Sequence, residues 1–144
     1  MTCSLCDRAE LTKQGKYPLL IHEFPNSYLM LGEHQFFSGY CVLLSKHHYK
    51  EMSDLPSPAR EELFQELMLA SKAIEKVMSP DKMNLCSLGN VVPHLHWHLF
   101  PRYKSDEKFH EPPWLRMDIF DTVKISGIEA SKVMEKIRSA IKIP

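Results

Sequence analysis

Nowhere in its 144 residues does this chain hold the roughly 18–20 consecutive apolar residues that a membrane-spanning helix requires. An excess of charge of one sign is missing too: Lys and Arg together number 18, Asp and Glu 18, and the formal net charge is zero. A general nucleic-acid binder ordinarily carries a basic excess, so that class is set aside, while a local basic patch for a phosphate stays compatible. The opening Met1-Thr2-Cys3-Ser4-Leu5-Cys6 has neither the charged nor the apolar region of a secretory leader. These absences lead us to expect a cytoplasmic protein with no membrane and no nucleic-acid partner. Cysteines number four, and in a reducing compartment they are expected as thiols or metal ligands rather than disulfides. The chain has no internal repeat and no low-complexity tract. What it does have is a composition 44% hydrophobic and 25% charged, which suits one domain over residues 1–144 with a real core.

The first dozen residues are expected to be irregular. Leu19–Phe24 reads as a short strand before a Pro25-Asn26 turn, and Ser27–Leu31 as a second strand. Gly32–Gln35 is turn-like, and the continuous apolar run Tyr40–Leu44 suits a buried central strand, antiparallel to 27–31. Pro56-Ser57-Pro58 introduces the longest helix, with Ser57 as its cap. Leu63, Leu67, Ala70, Ile74 and Val77 then fall on one helical face, and the helix ends near Ser79-Pro80. Lys82–Leu88 resembles a strand, and residues 117–125 a further short one. Ser126-Gly127-Ile128-Glu129 matches a capping box and opens a final helix with Val133, Met134, Ile137, Ala140 and Ile141 on one face. Strands with two separated helices predict an α+β sheet with helices on one side.

The most informative segment is His94-Leu95-His96-Trp97-His98, followed by Leu99-Phe100-Pro101. Strand side chains alternate between faces, so the three imidazoles share one side while Leu95, Trp97 and Leu99 enter a core. A core has no need of three adjacent titratable rings. Neutral imidazole is a good nucleophile near pH 7 and can attack phosphorus to give a covalent phospho-imidazole, splitting one hard displacement into two easier steps. Such a nucleophile needs one nitrogen free and the other held by an acceptor. His96, flanked on both sides, is best placed to attack. A protonated His98 is the natural phosphate-side donor, and His94 the structural or metal-side partner. Histidines at i and i+2 can also chelate zinc, so the pattern alone leaves nucleophile and metal site both open.

The arrangement His-x-His-x-His followed by Leu99 and Phe100 resembles the histidine triad (HIT) family. Its flanks agree: Gly89-Asn90-Val91-Val92-Pro93 before, Pro101-Arg102 after, and Gly39–His48 upstream with its Lys-x-His stretch. The resemblance covers roughly residues 17–104 and is nearest to bacterial proteins of the diadenosine tetraphosphate hydrolase-like type. It implies an α+β HIT-like fold, with an antiparallel sheet of about five strands, one long helix and a C-terminal helix. It also implies a homodimer and a purine nucleotide substrate. The implied reaction is hydrolysis or transfer at the α-phosphate of a dinucleoside polyphosphate or nucleoside phosphoramidate, through a nucleotidyl-histidine, with no required cofactor. By residue, His96 matches the nucleophile, His98 the phosphate-contacting ring and His94 the supporting ring. Asn90 stands where many members carry glutamine, one methylene longer. Asn84 falls near a second phosphate- or ribose-contacting position. Gly32 occupies the usual ribose-binding position, with Glu33 beside it as a candidate. Some relatives bind structural zinc through a CxxC pair, an upstream histidine and the first triad histidine; Cys3, Cys6, His48 and His94 match those positions.

Three further readings accompany these. Arg102 is a candidate contact to a distal phosphate, against a surface ion pair. Trp114 reads as a core aromatic, with closure of the site or packing at a dimer edge as the alternatives, and Cys41 and Cys86 read as buried and inert. At the level of function, the rivals are a nucleotide-binding regulatory module with residual hydrolysis and a zinc-dependent hydrolase with the triad as its ligand set.

Overall fold

The computed structural model describes residues 3–143, the side chains of Met117 and Asp121 excepted. Its centre is an open, five-stranded antiparallel sheet in the order β1-β2-β3-β5-β4. The strands are β1 (Leu20–Glu23), β2 (Ser27–Leu31), β3 (Cys41–Ser45), β4 (Lys82–Cys86) and β5 (His96–Arg102). Helices α1 (Ser4–Lys13), α2 (Ser57–Met78) and α3 (Gly127–Ala140) complete the α+β architecture.

Strands β2 and β3 are buried along their whole length, as the apolar runs require of central strands. Register then sorts their side chains between two faces. On one face Leu29, Leu43, Trp97 and Leu99 meet Leu63, Leu67 and Ile74 of α2 and Met134 and Ile137 of α3. Each such large apolar side chain contributes about 1.5–3 kcal/mol on burial. On the other face Tyr28, Met30 and Leu44 pack against Leu5 and Ala9 of α1. Beside them lies an aromatic cluster built on Phe37, Tyr40, Phe100 and Phe120. In the β3–β5 register Leu44 faces His96 and Val42 faces His98, so the histidines share the face that α1 and the aromatic cluster occupy.

Helix α1 replaces the irregular N-terminus expected from sequence, and it also overturns the expectation of helices on one side only. Its buried residues Leu5, Ala9 and Thr12 do recur at helical spacing. Two of the three are small or polar, which leaves the amphipathic signal weak. At α2 the cap is Pro56 in extended conformation, not Ser57, whose hydroxyl donates instead to Glu61 within the helix. The expected strand at 117–125 is absent. Pro113–Thr122 forms 3-10 turns that bring Trp114 and Phe120 to the aromatic cluster, and only Lys124 bridges to His34. Aromatic packing outweighs a weak β pattern here. The capping box at α3 forms as read: Ser126 Oγ accepts from the Glu129 N–H, and the Glu129 carboxylate accepts from the Ser126 N–H. Cys41 is fully buried, and burial pushes its thiol pKa up, whereas Cys86 on edge strand β4 is only half-buried.

Candidate active site

β5 begins at His96, so His94 precedes the strand rather than opening it. A turn with Gly89 at φ 69°, a value that favours glycine, leads into this segment. His96 Nδ1 lies 2.5 Å from the carbonyl oxygen of His94. A carbonyl oxygen only accepts, so the ring proton of neutral His96 sits on Nδ1 and the Nε2 lone pair is available. The His98 ring stands 4.8 Å from that of His96, nearly edge-on. Burial, reinforced by His96 and His34, lowers the His98 pKa to about 3, so this ring is neutral where the sequence reading anticipated a protonated donor. Its Nδ1 lies 2.7 Å from the hydroxyl of Tyr40.

Both rings open into a cavity of about 380 Å³ whose wall includes Asn90, Trp114 and, from α1, Ser4, Leu5 and Arg8. Trp114 meets His98 edge-on at 4.5 Å, so it forms part of the site rather than of the plain core. An adjoining recess of about 150 Å³ shares Arg8 and Tyr40 with the cavity and contains Glu33. There Glu33 accepts from Arg8 at 2.8 Å and from the Tyr17 hydroxyl at 3.3 Å. Gly32 cannot carry a side chain in this arrangement: a Cβ would lie 2.1 Å from Cδ1 of Tyr40.

His94 turns its ring elsewhere. Its Nε2 donates to the carbonyl oxygen of Ser45 at 2.9 Å, which leaves Nδ1 as a lone pair aimed at two thiols. Cys3 Sγ lies 3.5 Å and Cys6 Sγ 3.4 Å from this nitrogen, and Cys6 Sγ lies 3.2 Å from His48 Nδ1. All four ligand atoms fall within 4.8 Å of one another. Zn–S and Zn–N bonds of about 2.3 and 2.1 Å in a tetrahedron put neighbouring ligands roughly 3.3–3.8 Å apart, so the donor set fits a zinc ion in both chemistry and spacing. The Ser45 carbonyl is the outer partner that fixes a ligating ring's tautomer. This cluster can hold a metal. His96 and His98 are not part of it, so the triad does not form the three-histidine zinc site considered from sequence.

Arg102 and Asn84 also lie apart from the cavity. Arg102 is 2% exposed. Its Nε donates to Asp106, and its Nη atoms donate to Asn84 Oδ1 and to the carbonyls of Lys108, Phe109 and Glu111. The guanidinium also stacks over Phe37 and Phe109. It organises the 103–111 loop and is not presented to a phosphate, because its donors are already engaged inside the protein. Asn84, spent on Arg102, goes with it. The residues that sequence reasoning passed over are Tyr40 and Arg8. Tyr40 opens the apolar run ending at Leu44 and alternates with Val42, whose partner across the ladder is His98; that parity was the available signal. Arg8 had none, because α1 was not anticipated.

Comparison with known proteins agrees with this geometry. No curated protein matches the chain. Among solved structures, a histidine triad protein from Bradyrhizobium japonicum shares 24% identity and a TM-score of 0.76, covering 86% of this chain and 90% of its own. One from Marinobacter aquaeolei shares 22% identity and a TM-score of 0.74, covering 85% and 87%. A zinc-bound histidine triad family protein from Mycobacterium smegmatis shares 18% identity and a TM-score of 0.67, covering 96% and 94%. These likenesses establish the fold, and none favours the diadenosine tetraphosphate hydrolase-like type over other members. A family model described as the HIT domain matches residues 14–105. With that match spanning well over half of the chain and the three histidines at and just before strand β5, the chain belongs to the HIT domain family.

Proposed function

We propose that this protein is a nucleotide hydrolase or transferase acting at the α-phosphate of purine nucleotide conjugates, with His96 as nucleophile. One observation carries the reading: the His94 carbonyl accepts from His96 Nδ1, so in the neutral ring the lone pair lies on Nε2, and that ring lines a cavity of about 380 Å³. In the first step a bond forms between Nε2 and phosphorus while the bond from phosphorus to the leaving amine, nucleotide or polyphosphate breaks. The leaving group departs with the electron pair and is protonated as its basicity demands. The ring becomes cationic as it attacks, and the Nδ1–H bond to the carbonyl strengthens as that charge grows. In the second step water, or another acceptor, attacks phosphorus. The P–N bond breaks, its electron pair returns to Nε2, and the attacking water loses one proton to solvent.

In this reading His98 contacts the phosphate and Asn90 positions the phosphate or leaving group, and both line the cavity. Glu33, held by Arg8 and Tyr17, is the candidate for the ribose hydroxyls in place of the side chain Gly32 cannot provide. Cys3, Cys6, His48 and His94 would hold a structural zinc, whose role is to fasten α1 to the sheet. A homodimer joined along edge strand β4 fits the exposure of Leu85 on that strand and of Phe64 and Met68 on α2. Among the described residues no helix is long and apolar enough to cross a membrane, which is compatible with a cytoplasmic location.

The test is product analysis by mass after incubation with adenosine phosphoramidates and dinucleoside polyphosphates. Wild type should release AMP or its acceptor adduct from at least one substrate, and His96→Ala should lose turnover while retaining nucleotide binding. Turnover near the wild-type level in His96→Ala refutes the assignment.

A further inference from the structure

Two neighbouring imidazoles open into the cavity, and only one of them has its tautomer set by a backbone carbonyl. For His98 the partner is the Tyr40 hydroxyl, 2.7 Å from Nδ1. The phenol ring is buried and clamped: it stacks on Phe100 at 4.5 Å and on His34 at 5.1 Å, and it covers Gly32 so closely that no Cβ fits there. A phenol is donor and acceptor, so the direction of the bond has to be argued. Burial pushes the Tyr40 pKa up and holds that of His98 down, so both groups are neutral. If His98 Nδ1 donated, the phenol proton would need a second acceptor, whereas among the described residues the Tyr40 hydroxyl has no hydrogen-bond partner besides His98 Nδ1, and a buried donor without one costs about 1–3 kcal/mol. If the phenol donates, every proton is placed: Tyr40 Oη–H on Nδ1, and the single ring proton of His98 on Nε2.

We propose that Tyr40 is a positioning residue that fixes His98 in the Nε2–H tautomer, opposite to that of His96. The inference rests on the nucleotide-transfer reading for its catalytic meaning, though not for its geometry. The cavity then presents a lone pair from one ring and an N–H from the next. The first can attack phosphorus, and the second can donate to a non-bridging or leaving oxygen. With the opposite tautomer His98 would turn a second lone pair toward the phosphate oxygens, and two electron-rich atoms would repel. Tyr40 sets this polarity without needing to touch the substrate, because its ring, stacked on Phe100 and His34, fixes the position of the hydroxyl oxygen beside His98 Nδ1. His98 therefore serves as a neutral donor, which needs no proton from solvent and holds across the neutral pH range.

The experiment is 15N–1H correlation of histidine-labelled protein, with His98 assigned by comparison with His98→Asn. In wild type at pH 7.5, His98 should show a pyridine-type Nδ1 and a protonated Nε2. Tyr40→Phe keeps the stacked ring and removes only the donor. It should give a His98 with mixed or inverted tautomer, and kcat should fall about tenfold with KM moving less. Wild-type His98 protonated on Nδ1 overturns the proposal even if Tyr40→Phe fails to fold. An unaltered His98 signature in folded Tyr40→Phe overturns it as well. The spectra need no substrate, so a protein in which His96→Ala keeps full turnover would lose the nucleophile assignment and leave this result standing.

Discussion

Removing the ring of His98 should flatten the acid limb of the stability curve, and the size of the effect follows from its surroundings. Half-buried against Tyr40, Phe100 and Trp114 and near His96 and His34, His98 has its pKa pushed down to about 3 in the folded protein. In the unfolded chain the same ring titrates near an ordinary value of about 6.5. The unfolded state therefore takes up a proton that the folded state refuses, so the contribution is complete above pH 6.5 and is lost as pH falls toward 3. At pH 5 the unfolded ring is protonated in about 97% of chains and the folded ring in about 1%, which costs about 2 kcal/mol relative to pH 7.5. His94 and His22 are shifted in the same direction and add to the wild-type slope, so the informative quantity is a difference. Urea unfolding of wild type and His98→Asn at pH 7.5 and pH 5.0 supplies it. Wild type should lose about 2 kcal/mol more over this interval than the variant, whatever their stabilities at pH 7.5. Equal losses would mean that the ring accepts a proton in the folded state, and the argument for His98 as a neutral donor would fail with it.

Other perturbations separate parts of the structure that the sequence ran together. Cys6→Ser should remove one thiolate from the four-ligand cluster, so elemental analysis should show zinc falling from about one ion per wild-type chain to a small fraction in the variant, with a lowered Tm. Equal zinc content in both proteins would show that the cluster does not hold the ion. Arg102→Leu should destabilise the fold by about 3–5 kcal/mol in urea unfolding, because it strands Asp106, Asn84 and three carbonyls beneath the 103–111 loop. Unchanged stability with weakened nucleotide binding would return Arg102 to the substrate side.

What could be read from the sequence was what depends on local periodicity. β2 spans Ser27–Leu31 as read, and α2 and α3 fall where 3.6-residue spacing puts them, because each buries a continuous apolar stripe. The parity of His96 and His98 was legible for the same reason, since a period of two has one outcome on a strand. The parts that were not legible rest on contacts distant in sequence. α1 has a thin apolar face and is tied down by Cys3 and Cys6 meeting His48 and His94, about 42 to 91 positions away. Arg102 has the same sequence context whether it points outward or inward. Its direction is decided by the five acceptors that the 103–111 loop and β4 bring around it.

His94 shows most clearly why a row of three histidines is not three copies of one role. Strict alternation would put all three rings side by side, yet β5 starts only at His96, and His94 is free to depart from strand geometry. Three of its polar groups then serve three separate tasks. Nε2 donates to Ser45 on β3, Nδ1 points at Cys3, which precedes α1, and at Cys6 within it, and the backbone carbonyl accepts from His96. The residue that orients the proposed nucleophile is thus the residue that ties the N-terminal helix to the sheet, and that helix brings Ser4, Leu5 and Arg8 to the cavity wall. Replacing His94 would disturb the tautomer of His96 only through the position of a carbonyl that every residue possesses, but it would remove a metal ligand outright. The first triad position should therefore be far more sensitive in metal content and in the seating of α1 than in the chemistry of attack, whereas His96 should show the reverse.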